Sequence, residues 1–227
     1  MEVTPGIHWV EGVNGNCYLL TDTSLTLIDT GLPHKTKKIL RYITDTLQCS
    51  PSDLTTIVLT HFHPDHIGNA AQLRNLTGAK IAAHSVDAMY IEGKQHKPVP
   101  PGGMGLLYKA FSPLMNVPPF TIDIILKEHD IIAGLVVIHT PGHTPGSISL
   151  YDAKRKALFT GDMLRYINGV VEGPSERFSM DMAAARQSLQ KLKDLEFDSM
   201  LGGHGTPLAQ SASLKVREFM QKQGKEP

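Results

Sequence analysis

Short apolar stretches separated by turn residues run through both halves of the chain. In the first half, alternating or continuous apolar positions predict strands at 7–10, 16–21, 25–29, 56–59 and 80–84. In the second half, the same patterns predict strands at 122–126, 131–132, 135–139, 147–151, 157–160 and 199–201. The dipeptide Asn14-Gly15 is typical of a hairpin turn between the first two stretches. The pattern therefore predicts a protein rich in short strands.

Helical periodicity is weaker and falls between the groups of strands. In the segment 35–47, Ile39, Leu40 and Ile43 lie on one face of a predicted amphipathic helix. Further helices are predicted at 67–76, at 180–192 with Ser179 as its cap, and at 214–221. The order of strands, helix and polar loops occurs roughly twice, which is typical of a duplicated two-layered α/β core.

One segment departs from this pattern, at about residues 87–121. It is rich in proline and glycine, and 104–115 within it predicts a helix with an apolar face. Such an insert covers an active site as a lid, or it serves as a connector or a dimer contact, so a homodimer stays open. We therefore predict a single domain over 1–227 that carries this helical insert.

Composition narrows the class of protein. The 227 residues are 41% apolar and 19% charged with zero formal net charge, as in an ordinary globular domain. No basic run is present, which argues against a nucleic acid as the main partner. Cys17 and Cys49 lack a CxxC context and are expected to be free thiols. Without a signal peptide or a membrane span in the sequence, we expect a cytoplasmic protein.

The stretch THFHPDHIGN, residues 60–69, concentrates metal-binding chemistry directly after a predicted strand. It contains His61, His63, Asp65 and His66 within six positions. On an extended backbone, side chains two residues apart point the same way, so His61, His63 and Asp65 are expected to converge. His66 is then expected to point elsewhere, toward a second metal.

Three more glycine-rich turns follow predicted strands, and each carries one further metal ligand. HTPGHTPGS contains His143, FTGDML contains Asp162, and LGGHGTP contains His204. Seven ligands are too many for one tetrahedral zinc and suit two metals that share a carboxylate. Zinc is the default for histidine and aspartate ligands, and iron or manganese also fit. Asp65 is also predicted to act catalytically, as a proton shuttle.

The order of Asp29, HFHPDH, PGHTPGS, GDM and GGHG resembles the metallo-β-lactamase superfamily over almost the whole chain. The resemblance implies an αββα sandwich, in which two mixed β-sheets pack face to face between helices, with the site at one edge. It also implies that Asp162 bridges two metals and that Asp29 steadies the ligand loops. The implied ligands are His61, His63 and His143 for the first metal, and Asp65, His66 and His204 for the second.

Within the superfamily, Asp65 followed by His66 resembles the pattern of glyoxalase II, lactonases and RNase Z. This implies a dinuclear metal-dependent hydrolase in which a metal-bridging hydroxide attacks a small ester, thioester or lactone. In some lactonases a tyrosine three residues beyond the bridging aspartate assists the substrate. Arg165 stands at that position here and Tyr166 follows it, so both are candidate substrate contacts, together with His34.

Other functions stay open at this point. The superfamily also contains mononuclear iron oxygenases that act on persulfides, as well as phosphodiesterases. A metal site with only a structural role is disfavoured, because structural zinc sites are closed and have fewer ligands. The expected partner in each enzymatic case is a small-molecule substrate.

Overall fold

The computed structural model describes residues 1–22, 24–96 and 115–223. The strands of the first half are β1 (Glu2–Thr4), β2 (Ile7–Val10), β3 (Cys17–Thr21), β4 (Leu25–Ile28), β5 (Leu54–Val58), β6 (Lys80–His84) and β7 (Ile124–Leu126). Those of the second half are β8 (Ile131–Ile132), β9 (Leu135–His139), β10 (Ile148–Asp152), β11 (Ala157–Gly161), β12 (Arg165–Ile167), β13 (Val170–Glu172) and β14 (Ser199–Gly202). The α-helices are α1 (Thr36–Arg41), α2 (Pro64–Ile67), α3 (Ala70–Thr77), α4 (Ser85–Ile91), α5 (Met182–Leu192) and α6 (Ala212–Gln223).

The strands form two mixed sheets and a separate hairpin. The first sheet has the order β1-β2-β3-β4-β5-β6-β7 and is antiparallel up to β4 and parallel from β4 onward. The second has the order β14-β11-β10-β9-β8, and only β11 and β14 are parallel. Neighbouring parallel strands end at the same edge of a sheet, so each sheet collects loops at one edge.

Side-chain alternation along the strands explains why the sheets stack. In β3, Tyr18 and Leu20 pack against Phe159 and Leu201 of the second sheet, in one buried cluster between the sheets. Leu19, from the opposite face of the same strand, packs with α1 and α3 in a second cluster. A third cluster joins the outer face of the second sheet to α5 and α6. Helices therefore cover the outer faces of both sheets, and the two inner faces bury each other.

Several predicted elements differ from the structure in instructive ways. The predicted helix at 35–47 is α1 continued by a π-helical turn at Tyr42–Thr46. The helix predicted at 67–76 is mainly α3, because Asn69, with φ −118° and ψ 1°, leaves the helical conformation and separates α3 from α2. Helix α5 is capped by the side chain of Asp181 rather than by Ser179.

Strands β1, β12 and β13 and helix α4 were not predicted. Strands β12 and β13 form a hairpin with a two-residue turn. The turn residues Asn168 and Gly169 both have positive φ, at 51° and 84°. Asn-Gly is a typical signal for this turn. Helix α4 occupies the start of the proposed insert, at 87–121. The helix predicted at 104–115 lies almost entirely outside the described residues, so the insert and the single-domain boundary stay predictions. No helix among the described residues is long and apolar enough to cross a membrane.

Candidate metal centre

The polar turns predicted from the sequence lie together at the ends of strands from both sheets. Strand β5 leads into the turn that carries His61 and His63, and β11 and β14 lead into Asp162 and His204. His143 lies in the turn between β9 and β10. The two sheets therefore each supply ligand-type side chains to one cluster.

The first group of side chains consists of three histidines. The Nε2 atom of His61 lies 3.1 Å from Nδ1 of His63, and Nε2 of His143 lies 2.9 Å from that same Nδ1 atom. All three ligand atoms lie within 4.8 Å of one another. His61 and His143 are buried and His63 is partly exposed. The ring nitrogens of the three histidines therefore converge on one point that is mostly shielded from solvent.

The second group contains Asp65, His66 and His204, whose ligand atoms also lie within 4.8 Å of one another. Nε2 of His204 lies 3.2 Å from Oδ2 of Asp65, and Nε2 of His66 lies 3.9 Å from it. The expectation that Asp65 would converge with His61 and His63 was therefore wrong. Pro64–Ile67 is a turn of helix rather than extended chain, and this turns Asp65 toward His66 and His204.

Asp162 lies between the two groups. Its Oδ1 atom is 3.3 Å from Nε2 of His66, and its Oδ2 atom is 3.4 Å from Nε2 of both His143 and His204. It also forms a potential ligand group with His61 and His66. One carboxylate thus faces histidines of both groups, as the predicted bridging role requires.

Asp29 joins the two groups from behind. Its Oδ1 accepts the backbone N–H of Thr60, and its Oδ2 accepts the Thr60 hydroxyl at 2.7 Å and lies 2.8 Å from Nδ1 of His66. Because the Thr60 hydroxyl donates to Asp29, it can act only as an acceptor toward Nδ1 of His61, 3.1 Å away. Both histidines therefore carry a proton on Nδ1 and turn Nε2 toward the cluster, and the lowered pKa of His61 leaves its Nε2 bare.

Ser179, which was predicted as a helix cap, instead orients His143. Its hydroxyl donates to the carbonyl of Ser175 at 2.7 Å and lies 3.2 Å from Nδ1 of His143. A hydroxyl whose proton is already committed accepts from the ring, which leaves Nε2 of His143 bare as well. Neither this role nor that of Thr60 was predicted from the sequence. The contact between Ser179 and His143 spans 36 residues, which is beyond the reach of local patterns.

The turn that carries His204 is held by the amino-terminal hairpin. The amide of Asn16 donates to the carbonyls of Gly202 and Gly205, and its oxygen accepts from the Trp9 indole. The Tyr18 hydroxyl donates to the carbonyl of Gly202 at 2.7 Å. The strand predicted at 16–21 starts at Asn16, but the role of its side chain in fixing a ligand loop was not predicted.

The protonation states differ between the groups. Burial lowers the pKa of His61 well below its usual value, and it lowers the pKa of His63 to about 3 and of His143 to about 4. Hydrogen bonds to Asp162 and Asp65 raise the pKa of His204 to about 9. Burial alone would raise the pKa of Asp65, but nearby His66 and His204 outweigh it and lower the pKa to about 2.

Two observations indicate that the cluster fits metal ions. Nε2 of His66 and Oδ1 of Asp162 are buried and lie 3.3 Å apart, but neither has hydrogen-bond geometry with the other or with any other described residue, which is costly for polar atoms unless an ion satisfies them. At Gly203 a Cβ atom would collide with Asp162 and His66, so only glycine leaves that space open. Imidazole nitrogen and carboxylate oxygen are ligands of zinc, and they suit iron and manganese too.

The three predicted substrate contacts lie in different surroundings. Arg165 donates to Glu172 at 3.0 Å and to the carbonyl of Gly173, and the Tyr166 hydroxyl accepts from Lys215. His34 lies in a turn with a φ of 68° and is exposed. The structure thus gives Arg165 and Tyr166 intramolecular partners, and contact of any of the three with a substrate stays a prediction.

Comparison with known proteins agrees with this geometry. A family model described as the metallo-beta-lactamase superfamily matches residues 10–204. The chain is 30% identical to the probable metallo-hydrolase YflN of Bacillus subtilis, covering 91% of this chain and 86% of that protein. It is 31% identical to a hydroxyacylglutathione hydrolase of Cereibacter sphaeroides, covering 66% of this chain and 48% of that protein.

Among solved structures, a metallo-beta-lactamase family protein from Thermus thermophilus has a TM-score of 0.72 with this chain. It is 22% identical and the match covers 98% of this chain and 81% of that one. At this identity the likeness shows the fold alone. Together with the observed layers, it confirms the predicted αββα sandwich of two mixed sheets.

Proposed function

The chain belongs to the metallo-β-lactamase superfamily, and from this premise we propose that it is a metal-dependent hydrolase that uses two metal ions. The observation that supports this most directly is the position of Asp162, within 3.4 Å of ring nitrogens from His66, His143 and His204. A carboxylate so placed can serve both ligand groups at once.

His61, His63 and His143 would hold the first ion, and Asp65, His66 and His204 the second, with Asp162 between them. Bound there, a metal pair supplies an activated water at neutral pH and polarises a substrate oxygen. The protein's own contribution is orientation, because Asp29, Thr60 and Ser179 hold the Nε2 atoms of three histidines toward the cluster. We take zinc as the metal, with iron and manganese as alternatives.

Asp65 is proposed as the residue that exchanges a proton with the substrate. Its side chain is 29% exposed, against 11% for Asp162, so it is the carboxylate of the cluster that reaches toward solvent. Its Oδ2 faces His204, whose side chain is 36% exposed. The open side of the centre therefore lies at the second ligand group.

The substrate that we propose is a small carboxylic ester, thioester or lactone. The relative named as a hydroxyacylglutathione hydrolase favours an acyl substrate, but the match leaves about half of that protein uncovered. We therefore do not propose that this chain recognises the glutathione part of such a substrate. Zinc-loaded protein is expected to hydrolyse at least one compound in a panel of esters, thioesters and lactones, and His61→Ala is expected to abolish this.

The same panel includes a phosphodiester, a β-lactam and a glutathione persulfide assayed by oxygen uptake. Metal content is measured on the same sample by elemental analysis, with two equivalents per chain expected in zinc-supplemented buffer. Oxygen uptake with one iron per chain would replace the proposal with a persulfide oxygenase. Hydrolysis that survives in His61→Ala would contradict the proposed mechanism.

A further inference from the structure

Asp87 is a buried acidic residue that the proposed reaction does not use. It lies in the first turn of α4 and is 1% exposed. A buried carboxylate is costly unless several donors satisfy it. The donors that satisfy this one therefore indicate what the residue does.

Three donors from two loops meet at the Asp87 carboxylate. Oδ2 accepts the backbone N–H of Phe62 at 2.9 Å and the hydroxyl of Thr144 at 2.7 Å. Oδ1 accepts the backbone N–H of Gly146 at 2.7 Å. Phe62 stands between His61 and His63, and Thr144 follows His143 directly.

The carboxylate thus spans the gap between the two sheets at the first ligand group. His61 and His63 follow β5 of the first sheet, whereas His143 lies between β9 and β10 of the second. The fit is close, since a Cβ atom at Gly146 would collide with the Asp87 carboxylate. Few other side chains would reach all three donors from this position.

We propose that Asp87 is a positioning residue for the first ligand group, which holds the loop of His61 and His63 in register with the loop of His143. The proposal rests on the metal-binding function proposed above. Groups that orient metal ligands from behind typically change metal affinity about 10- to 100-fold when they are removed. Asp29 acts within the first sheet, and Asp87 is the matching link across the sheets.

The test compares Asp87→Asn with Asp152→Asn. An asparagine keeps one acceptor oxygen but points its amide N–H groups at the backbone N–H of Phe62 or of Gly146, so that N–H loses its acceptor. Asp152 is a matched control, because it is 2% exposed and accepts two hydrogen bonds, both from Arg155 in the β10–β11 turn. Both variants are expected to lower the melting temperature.

The discriminating readout is affinity for the first equivalent of metal, measured by chelator competition. Asp87→Asn is expected to weaken zinc binding about 10- to 100-fold and to change the visible spectrum of the Co²⁺-substituted protein. Asp152→Asn is expected to leave both within the error of the wild type. Equal zinc affinities in all three proteins would overturn the positioning role.

A second pair of variants covers the case in which Asp87→Asn does not fold. Thr144→Val removes one donor to Asp87 at nearly constant volume, and Thr144→Ser retains the hydroxyl. Thr144→Val is expected to weaken binding of the first zinc equivalent, and Thr144→Ser is expected to bind it as the wild type does. Equal affinities in the two variants would overturn the proposal. If the wild type itself binds no metal, the proposed function fails, whereas a metal-binding wild type with unaffected variants removes only the role of Asp87.

Discussion

The two ligand groups differ in charge and in exposure. The first contains three imidazoles, and burial lowers the pKa of each of them. The second contains Asp65, His66 and His204, in which carboxylates raise the pKa of His66 and His204. The first group is mostly buried, whereas Asp65 and His204 are partly exposed.

This difference indicates a division of labour between two ions. Three neutral, oriented nitrogens are ready to bind a metal without losing a proton, so the first group is expected to bind more tightly. The second must release protons and faces solvent, which suits the exchange of protons and substrate. Four experiments would break or sharpen this contrast.

The largest effect is expected from Asp162→Ala, because it removes the carboxylate that both groups share. Activity should fall on the order of 1000-fold or more, equivalent to about 4 kcal/mol of transition-state stabilisation. Steady-state assays and metal analysis would measure it. Retention of two tightly bound metal equivalents would show that the groups are independent of Asp162.

The next comparison is between His63→Ala and His204→Ala. His63→Ala is expected to lose the tight equivalent and nearly all activity. His204→Ala should keep one equivalent per chain, since His61, His63 and His143 are intact, with activity lower by about 10- to 100-fold, of the order of 2 kcal/mol. Metal titration would measure the number of equivalents that each variant binds. Equal losses of metal in the two variants would contradict the expectation that the first group binds more tightly.

Gly203→Ala should affect the second group more than the first. A methyl group there collides with Asp162 and His66, so those side chains must shift. We expect about tenfold weaker binding of the second equivalent, by analogy with other changes behind metal ligands. Gly173→Ala is the control, because its added Cβ would meet only the Phe219 side chain, at 3.2 Å. Unchanged affinity in Gly203→Ala would indicate that the loop adjusts freely.

The mildest change is one of pH alone, which alters metal affinity without any substitution in the chain. The pKa of His204, about 9 in the metal-free protein, keeps its proton bound at pH 7, so the metal must displace it. The second equivalent should therefore bind more tightly as pH rises from 7 to 9, about tenfold per unit for each proton released. The first should be insensitive above about pH 5, because the pKa values of His63 and His143 are about 3 and 4.

Calorimetric titrations in two buffers of different ionisation enthalpy would count the protons released with each equivalent. The raised pKa of His204 also makes the folding stability of the metal-free protein depend on pH. In the metal-free protein the raised pKa of His204 contributes stability at low pH, and this contribution is lost as pH rises through 9. Proton release that is the same for both equivalents would remove the distinction between the groups.

The sequence predicted the strands and the types of metal ligand well, but it predicted less well which ligands lie together. Alternation in stretches such as Leu25–Ile28 is a local property, and so are glycine-rich turns after strands. Whether Asp65 joins His63 or His66 depends on one helical turn after His63. That turn is too short for periodicity to reveal it.

The residues that orient the ligands were mostly out of reach of sequence patterns. Ser179, Asn16 and Asp87 act on loops that are between 25 and 189 residues away in the chain. Ser, Asn and Asp are also common at turns and helix ends, where they need no further role. Only Asp29 was predicted to support the ligand loops, and that came from a resemblance between motifs.

The contact of Asn16 and Tyr18 with Gly202 has a consequence for the order of folding. It joins segments 186 and 184 residues apart, nearly the two ends of the described chain. Contacts of such long range close late, because the loop entropy must be overcome first. A chain still emerging from the ribosome can therefore form the sheet edge that holds His61 and His63 before the turn that carries His204 exists. Binding of the second ion therefore requires that the chain has been synthesised at least as far as His204 and that this long-range contact has closed.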